Sequence, residues 1–129
     1  MRHADAEETR AVRDHDRPVT PAGAAAAADV ARQLASSGWV PQVLVCSNAA
    51  RSRQTLDEMR RALPALGDAD EHVLGSLYTT SQLDGQTRGH LAEIVAAEAE
   101  DGHACVLCLG HNKGWSEAAS AFAVSAAGV

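Results

Sequence analysis

Two short runs constrain the fold of this chain more than any other feature. "VLVC" at 43–46 and "CVLCL" at 105–109 are apolar at every position. Each is followed at once by a polar cluster, "SNAARSRQT" after the first and "GHNKGW" after the second. Apolar runs of this length, bounded by turn signals such as Pro41, read as buried strands. A shorter strand is expected at "EHVLG", 71–75.

The segments between the strands have helical period. In "VTPAGAAAAADVARQLASSG", Thr20 is placed to cap the N-terminus, Pro21 suits the first helical position, Val30 and Leu34 share a face, and Gly38 is placed to end the helix. "RSRQTLDEMRRAL" puts Leu56, Met59 and Leu63 on one side and sets Asp57 one turn from Arg61. "QTRGHLAEIVAAEAE" is helical through Leu91, Ile94 and Val95, and "GWSEAASAFA" predicts a short last helix. "SLYTTSQLDG" has no clear period and reads as a loop. This alternation predicts an α/β fold, three layers deep, with a mainly parallel sheet, in a single domain spanning 1–129.

Composition narrows the class. The chain has 129 residues, long enough to bury a core without staples. Aromatics are only 3%, so the core is built from Ala, Val and Leu. The net charge of −6 gives no reason to expect nucleic acid or an acidic membrane as partner. No stretch has the ~20 apolar residues of a membrane span. Three cysteines, Cys46, Cys105 and Cys108, form no disulfide framework and suggest a reducing compartment. Cys105 and Cys108 fit a CxxC spacing, but residues three apart on a strand point to opposite faces, so they read as small buried hydrophobes.

In parallel sheets ligands sit beyond the carboxyl ends of the strands. That places Arg51 after one strand and His111 after another, with Arg17 before the first helix; Arg2 and His3 would follow a third strand, if one preceded them, and so join the same point. Guanidinium groups and helix N-termini recognise phosphoryl oxygens. Arg51 alone would be a first-turn surface cation, a mildly unfavourable place, and that local conflict itself favours a ligand role.

Four motifs in order, "RHADA" at 2–6, "DRPVTPAG" at 16–23, "VCSNAARSRQT" at 45–55 and "LGHNKGW" at 109–115, resemble the histidine phosphatase superfamily, with its phosphoglycerate-mutase-like fold. The short chain, "DRPVTPAG" and "LDGQT…HL" at 83–91 are similar to its SixA-type phosphohistidine phosphatase branch. The resemblance implies a phosphatase acting on a phosphomonoester or phosphohistidine. His3 matches the nucleophile that becomes phosphohistidine, Arg2 and Arg51 the phosphate-binding arginines, and His111 the second pocket histidine. Arg17 and Asn112 are further candidates for substrate binding. No cofactor or metal is expected, because arginines supply the positive charge. The partner would be a phosphorylated small molecule or a phosphohistidine protein, and the setting an intracellular one, cytoplasmic or plastid.

Two departures qualify that match. Larger members of the superfamily carry an acidic general acid after the third strand, whereas here the region has no glutamate and offers only Asp84, with Asp5 as another possibility. SixA-type proteins also lack the usual acid, and a phosphoramidate leaving group needs less help than an alkoxide. Family members also place an apolar strand before "RH", so the chain is expected to lack the first strand and a C-terminal strand, to be truncated at both ends, and to hold His3 on a frayed terminus. Such truncation leaves open a non-catalytic phospho-ligand-binding or regulatory domain, or a fragment that does not fold stably alone.

Blander roles are expected elsewhere. Asp84 fits a turn before Gly85, and Arg17 could simply pair with Asp14 or Asp16. His15, His72, His90 and His103 have no metal-ligand spacing and read as solvated. Trp39 and Trp115 read as packing anchors.

Overall fold

The computed structural model describes residues 1–80, 86–111, 115–116 and 118–120. Helix α1 spans Pro21–Ser36, β1 Val43–Ser47, α2 Ala50–Ala62, β2 Asp70–Leu74, α3 Gly75–Thr80, α4 Gln86–Glu100 and β3 Val106–Leu109. Short 3-10 turns lie at Asp14–Asp16 and Pro64–Asp68. The strands form a parallel sheet in the order β2-β1-β3, with Val45 level with His72 on one side and Cys108 on the other.

Alternation along β1 explains the layers. Leu44 and Cys46 face α1 and α2, in a cluster with Ala27, Ala31, Leu56, Met59, Leu66 and Leu109. Val43 and Val45 face the other way, packing with Leu77 of α3, Leu91 of α4, Trp115 and Ala118. β1 is buried at all five positions because it has helices on both faces and a strand on both edges. The α/β/α expectation therefore holds.

The helix ends follow local chemistry. Thr20 Oγ1 accepts from the Gly23 amide at 2.9 Å, and Pro21 occupies the first turn. At the far end the Trp39 amide reaches the Leu34 carbonyl and Gly38 (φ 75°) bonds back to Ala35, a Schellman termination.

Several expectations need correction. β3 is buried only at Leu109, because no named strand flanks its outer edge. Residues 76–80 of the expected loop are helical, as part of α3, with Leu77 drawn into the core, and Gly75 of the expected strand opens that helix; 81–85 lie outside the described residues. The last predicted helix is helical at the described positions 115–116 and 118–120. Trp39 is 63% exposed, because the turn at Gly38 carries it past the end of α1 and away from the core. Trp115 does anchor, and it takes Gly110 with it: a Cβ there would lie 2.4 Å from the indole. Asp57 pairs with Arg60 and Glu58 with Arg61, three residues apart, instead of Asp57 with Arg61. The solvated histidines have partners too: Glu98 takes both His72 and His103, and His90 meets Ser76.

The start of the chain is not frayed. Arg2 bridges in parallel to Gly110; the His3 amide donates to the Gly110 carbonyl at 2.9 Å and the Gly110 amide to the Met1 carbonyl at 3.0 Å. The segment runs alongside the end of β3 and its extension, from Cys108, whose carbonyl accepts from the Met1 amino group, to Gly110. No described helix is long and apolar enough to cross a membrane.

Candidate active site

The carboxyl ends of β1 and β3, with the Met1–His3 segment, converge on one polar pocket of ≈240 Å³, lined by Arg2, His3, Asp5, Ala6, Glu8, Arg17, Arg51 and His111. An apolar cavity of ≈260 Å³ lies against β3 and α4, but its lining holds no charged side chain. The chemistry-bearing residues predicted from four separate motifs thus share one wall-to-wall space. Asn112 and Asp84 lie outside the described residues. Asp5 is at the pocket, its carboxylate accepting from the Thr20 hydroxyl at 3.0 Å.

Helix α2 does most of the positioning. Three of its neighbouring positions, Arg51, Gln54 and Thr55, lie on one face by their i, i+3, i+4 spacing. Thr55 Oγ1 accepts from the amide of Ala4, next to His3, at 2.9 Å, and donates to the Arg51 carbonyl at 2.6 Å. Gln54 Oε1 accepts from the Val19 amide at 2.8 Å, fixing the loop that carries Arg17. The motif "RSRQT" was read above for its arginine alone; the helical spacing already put Gln54 and Thr55 beside it.

The His3 ring is oriented. Its Nδ1 lies 2.7 Å from the Ala4 carbonyl, which can only accept, so Nδ1 carries the proton and Nε2 presents its lone pair. Arg51 Nε donates toward that Nε2 at 3.3 Å. Burial pushes the His3 pKa below 6.5; the Ala4 carbonyl opposes this, and the charges of Arg51, Arg2 and Arg17 add to the depression. The ring is therefore neutral at pH 7.

His111 is buried, 5.4 Å from His3 ring to ring. Its Nε2 is 2.7 Å from Ser47 Oγ, which itself accepts from the Ala49 amide. The Ser47 hydroxyl thus holds the ring through Nε2, as donor or acceptor according to the tautomer. Nδ1 of His111 is buried and has no partner among the described residues. Burial first, then Arg51 and His3, push its pKa down to about 3.

Arg51 has only 7% of its side chain exposed, and its cationic head meets Asp14, which the sequence reading named only as a possible partner of Arg17. Asp14 Oδ1 accepts from Arg17, whose Nη1 also donates to the Glu7 carbonyl. Arg17 therefore has the salt-bridge partner expected of its blander role while still lining the pocket. Burial works against the Asp14 carboxylate, but the Tyr78 hydroxyl and the two arginines hold its pKa below the usual range. Tyr78 stands edge-on to both His15 and His111. His15 in turn donates to Asn48 Oδ1 at 2.9 Å, so it belongs to the site's rim and not to solvent. Asp14, His15 and Tyr78 had no recognisable signal, since they sit in a turn and in a stretch read as loop.

Cys46 and Cys108 are held as thiols. Burial pushes the Cys46 thiol up to about 12 and Cys108 upward as well. All three are free.

Comparison with known proteins agrees with this geometry. Residues 1–73 match the family model of the histidine phosphatase superfamily, branch 1. The chain is 41% identical over 121 residues to an uncharacterized chloroplastic protein of Arabidopsis thaliana, covering 93% of this chain and 56% of the relative. The chain thus spans little more than half the length of that curated relative. Among solved structures, it is similar to a candidate SixA phosphohistidine phosphatase from Agrobacterium tumefaciens (29% identity, TM-score 0.76, 94% of this chain and 72% of that one). It is also similar to the protein histidine phosphatase SixA complexed with tungstate (25% identity, TM-score 0.77, 93% and 72%). With the family model matching more than half its length, on a parallel α/β scaffold shared with SixA proteins, the chain belongs to the histidine phosphatase superfamily, branch 1.

Proposed function

We propose that this chain, acting as one domain, is a phosphatase that hydrolyses a phosphohistidine or phosphomonoester through a covalent phosphohistidine on His3. One observation carries the reading: His3 holds its Nδ1 proton on the Ala4 carbonyl and aims an unprotonated Nε2 at the edge of Arg51.

In the first step the Nε2 lone pair attacks phosphorus, the bond from phosphorus to the leaving oxygen or nitrogen breaks, and the leaving group takes up a proton. In the second, water attacks phosphorus, the P–N bond to His3 breaks, and inorganic phosphate departs. Splitting hydrolysis in two replaces one difficult displacement by two easier ones. Arg2, Arg51 and His111 would hold the equatorial oxygens as charge builds, and Arg17 would add a contact at the mouth. Asp84 and Asp5 remain the proton-donor candidates, and Asn112 a candidate substrate contact. A phosphoramidate substrate lowers the demand on that donor, since its nitrogen leaves readily once protonated. The tungstate bound by the SixA relative is an oxyanion of phosphate-like shape, which supports an oxyanion pocket in this chain too.

The test is hydrolysis of a phosphohistidine protein, a sugar phosphate and an aryl phosphate side by side, with rapid-quench trapping of labelled phosphate. Turnover of the phosphohistidine protein with acid-labile, alkali-stable label on His3 is expected. Tungstate binding without any turnover would favour the non-catalytic phospho-ligand domain instead.

A further inference from the structure

We propose that Asp14 is a positioning residue that decides which edge of the Arg51 guanidinium meets the phosphoryl group, an inference that rests on the phosphatase reading above. A guanidinium offers two forks: the end formed by Nη1 and Nη2, and the side formed by Nε and Nη2. Both end nitrogens of Arg51 turn to Asp14. Nη1 donates to its carbonyl at 2.7 Å and Nη2 to its Oδ2 at 3.2 Å. The side fork is the one left facing His3, with Nε 3.3 Å from Nε2. A phosphoryl group on Nε2 therefore meets the side fork.

Asp14 is itself fixed from two further directions. Arg17 Nε donates to Oδ1 at 2.9 Å, and the Tyr78 hydroxyl donates to Oδ2 at 2.8 Å. Tyr78 comes from α3, Arg51 from α2, and Asp14 from the 3-10 turn before α1. A single carboxylate thereby joins three separately placed segments around the nucleophile. Since the Asp14 side chain is 53% exposed, the ion pairs add little to global stability, and their consequence is orientation.

The experiment is a double-mutant cycle on the full chain, Asp14→Ala and Arg51→Lys singly and together, with Asp14→Asn as the conservative variant. Read-outs are kcat and KM for an aryl phosphate, the dissociation constant for tungstate, and the melting temperature. With Asp14 removed, kcat is expected to fall about 10- to 100-fold, the cost of a misplacement near 1 Å. KM should move much less, the melting temperature should hold within a few degrees, and Asp14→Asn should recover part of the rate by keeping one acceptor. In the Arg51→Lys background, which has no forks to choose between, removing Asp14 should change little. An equal loss in both backgrounds, or no loss in either Asp14 variant of an active wild type, overturns the inference alone. A wild type that neither turns over nor binds tungstate overturns the phosphatase reading and this inference with it.

Discussion

The pocket's two proposed phosphate arginines stand in opposite conditions. Arg51 is buried at the junction of β1 and α2, and its guanidinium is engaged by Asp14 and His3. Arg2 is exposed, and its guanidinium makes no hydrogen bond to a described residue, although its backbone is bridged to Gly110. One cation is organised before any ligand arrives; the other is recruited by it. Ordering a long side chain on binding costs about 0.5–1.5 kcal/mol, so the same charge contributes less at Arg2. The contrast has a structural root. Arg51 sits on a helix pressed against a fully buried strand, whereas Arg2 lies outside the named elements and projects an exposed side chain from a segment whose backbone pairs with Cys108 and Gly110.

The largest effect should come from His3→Ala, which removes the proposed nucleophile shared by both arginines. Turnover and trapped label should both drop to the no-enzyme background; label persisting in that variant would move the nucleophile elsewhere. Arg51→Ala should follow, with a loss of ~10²–10³ in kcat, the scale of a preorganised transition-state donor. Lysine should fail to rescue Arg51, because a point charge lacks the fork. At Arg2, lysine should retain a larger share of activity, since nothing there fixes a fork in advance. Equal tolerance at both positions would dissolve the comparison.

Gly110→Ala tests the weaker region. The added methyl meets the Trp115 ring and disturbs the residue on which Met1 and His3 are paired. A loss of about 1–3 kcal/mol is expected from overpacking, read by denaturant unfolding, with a fall in kcat from the displaced His3. An active, equally stable variant would show that the terminal segment is seated by something other than this contact.

The smallest effect is on pH. Folding depresses the pKa of His111 from 6.5 to about 3, so between these values the unfolded chain binds a proton that the folded chain refuses. The stability contributed by neutral His111 is therefore complete above pH 6.5 and is lost as pH falls toward 3. His3 shifts in the same direction. The melting temperature should decline on acidification through this window, and His111→Gln should flatten the decline. The acid limb of kcat/KM should likewise lie below pH 6.5, because His3 takes up its proton only below the ordinary imidazole value.

Much of this was legible in the residues. Continuous apolar runs announced strands buried on both faces, and that holds fully for β1. It holds only in part for β3, because burial along a strand depends on which strands flank it, a property of the sheet and not of the run. His3, Arg51 and His111 were legible because parallel topology sends every strand's carboxyl end to the same side. Asp14 and Tyr78 were not, being separated by 64 residues and joined by one hydrogen bond. The expectation of a frayed start failed for a related reason: a strand was sought in the preceding residues, while the partner that holds His3 is Gly110 and the clamp beside it is Thr55.

The sequence by itself determined the local matters: the Thr20 cap, the turn at Gly38, the helical face shared by Arg51, Gln54 and Thr55, and the kinds of chemistry at the strand ends. These depend on backbone dihedrals and on side chains within one helical turn, and such preferences are written into neighbouring residues. Only the tertiary structure decided the aim of the groups. That Ser47 holds the His111 ring at Nε2 and that Asp14 turns one edge of Arg51 toward His3 both follow from hydrogen bonds between groups far apart in the chain. The direction of such bonds depends on where distant elements dock, and docking follows from how the buried faces of the sheet and helices fit together.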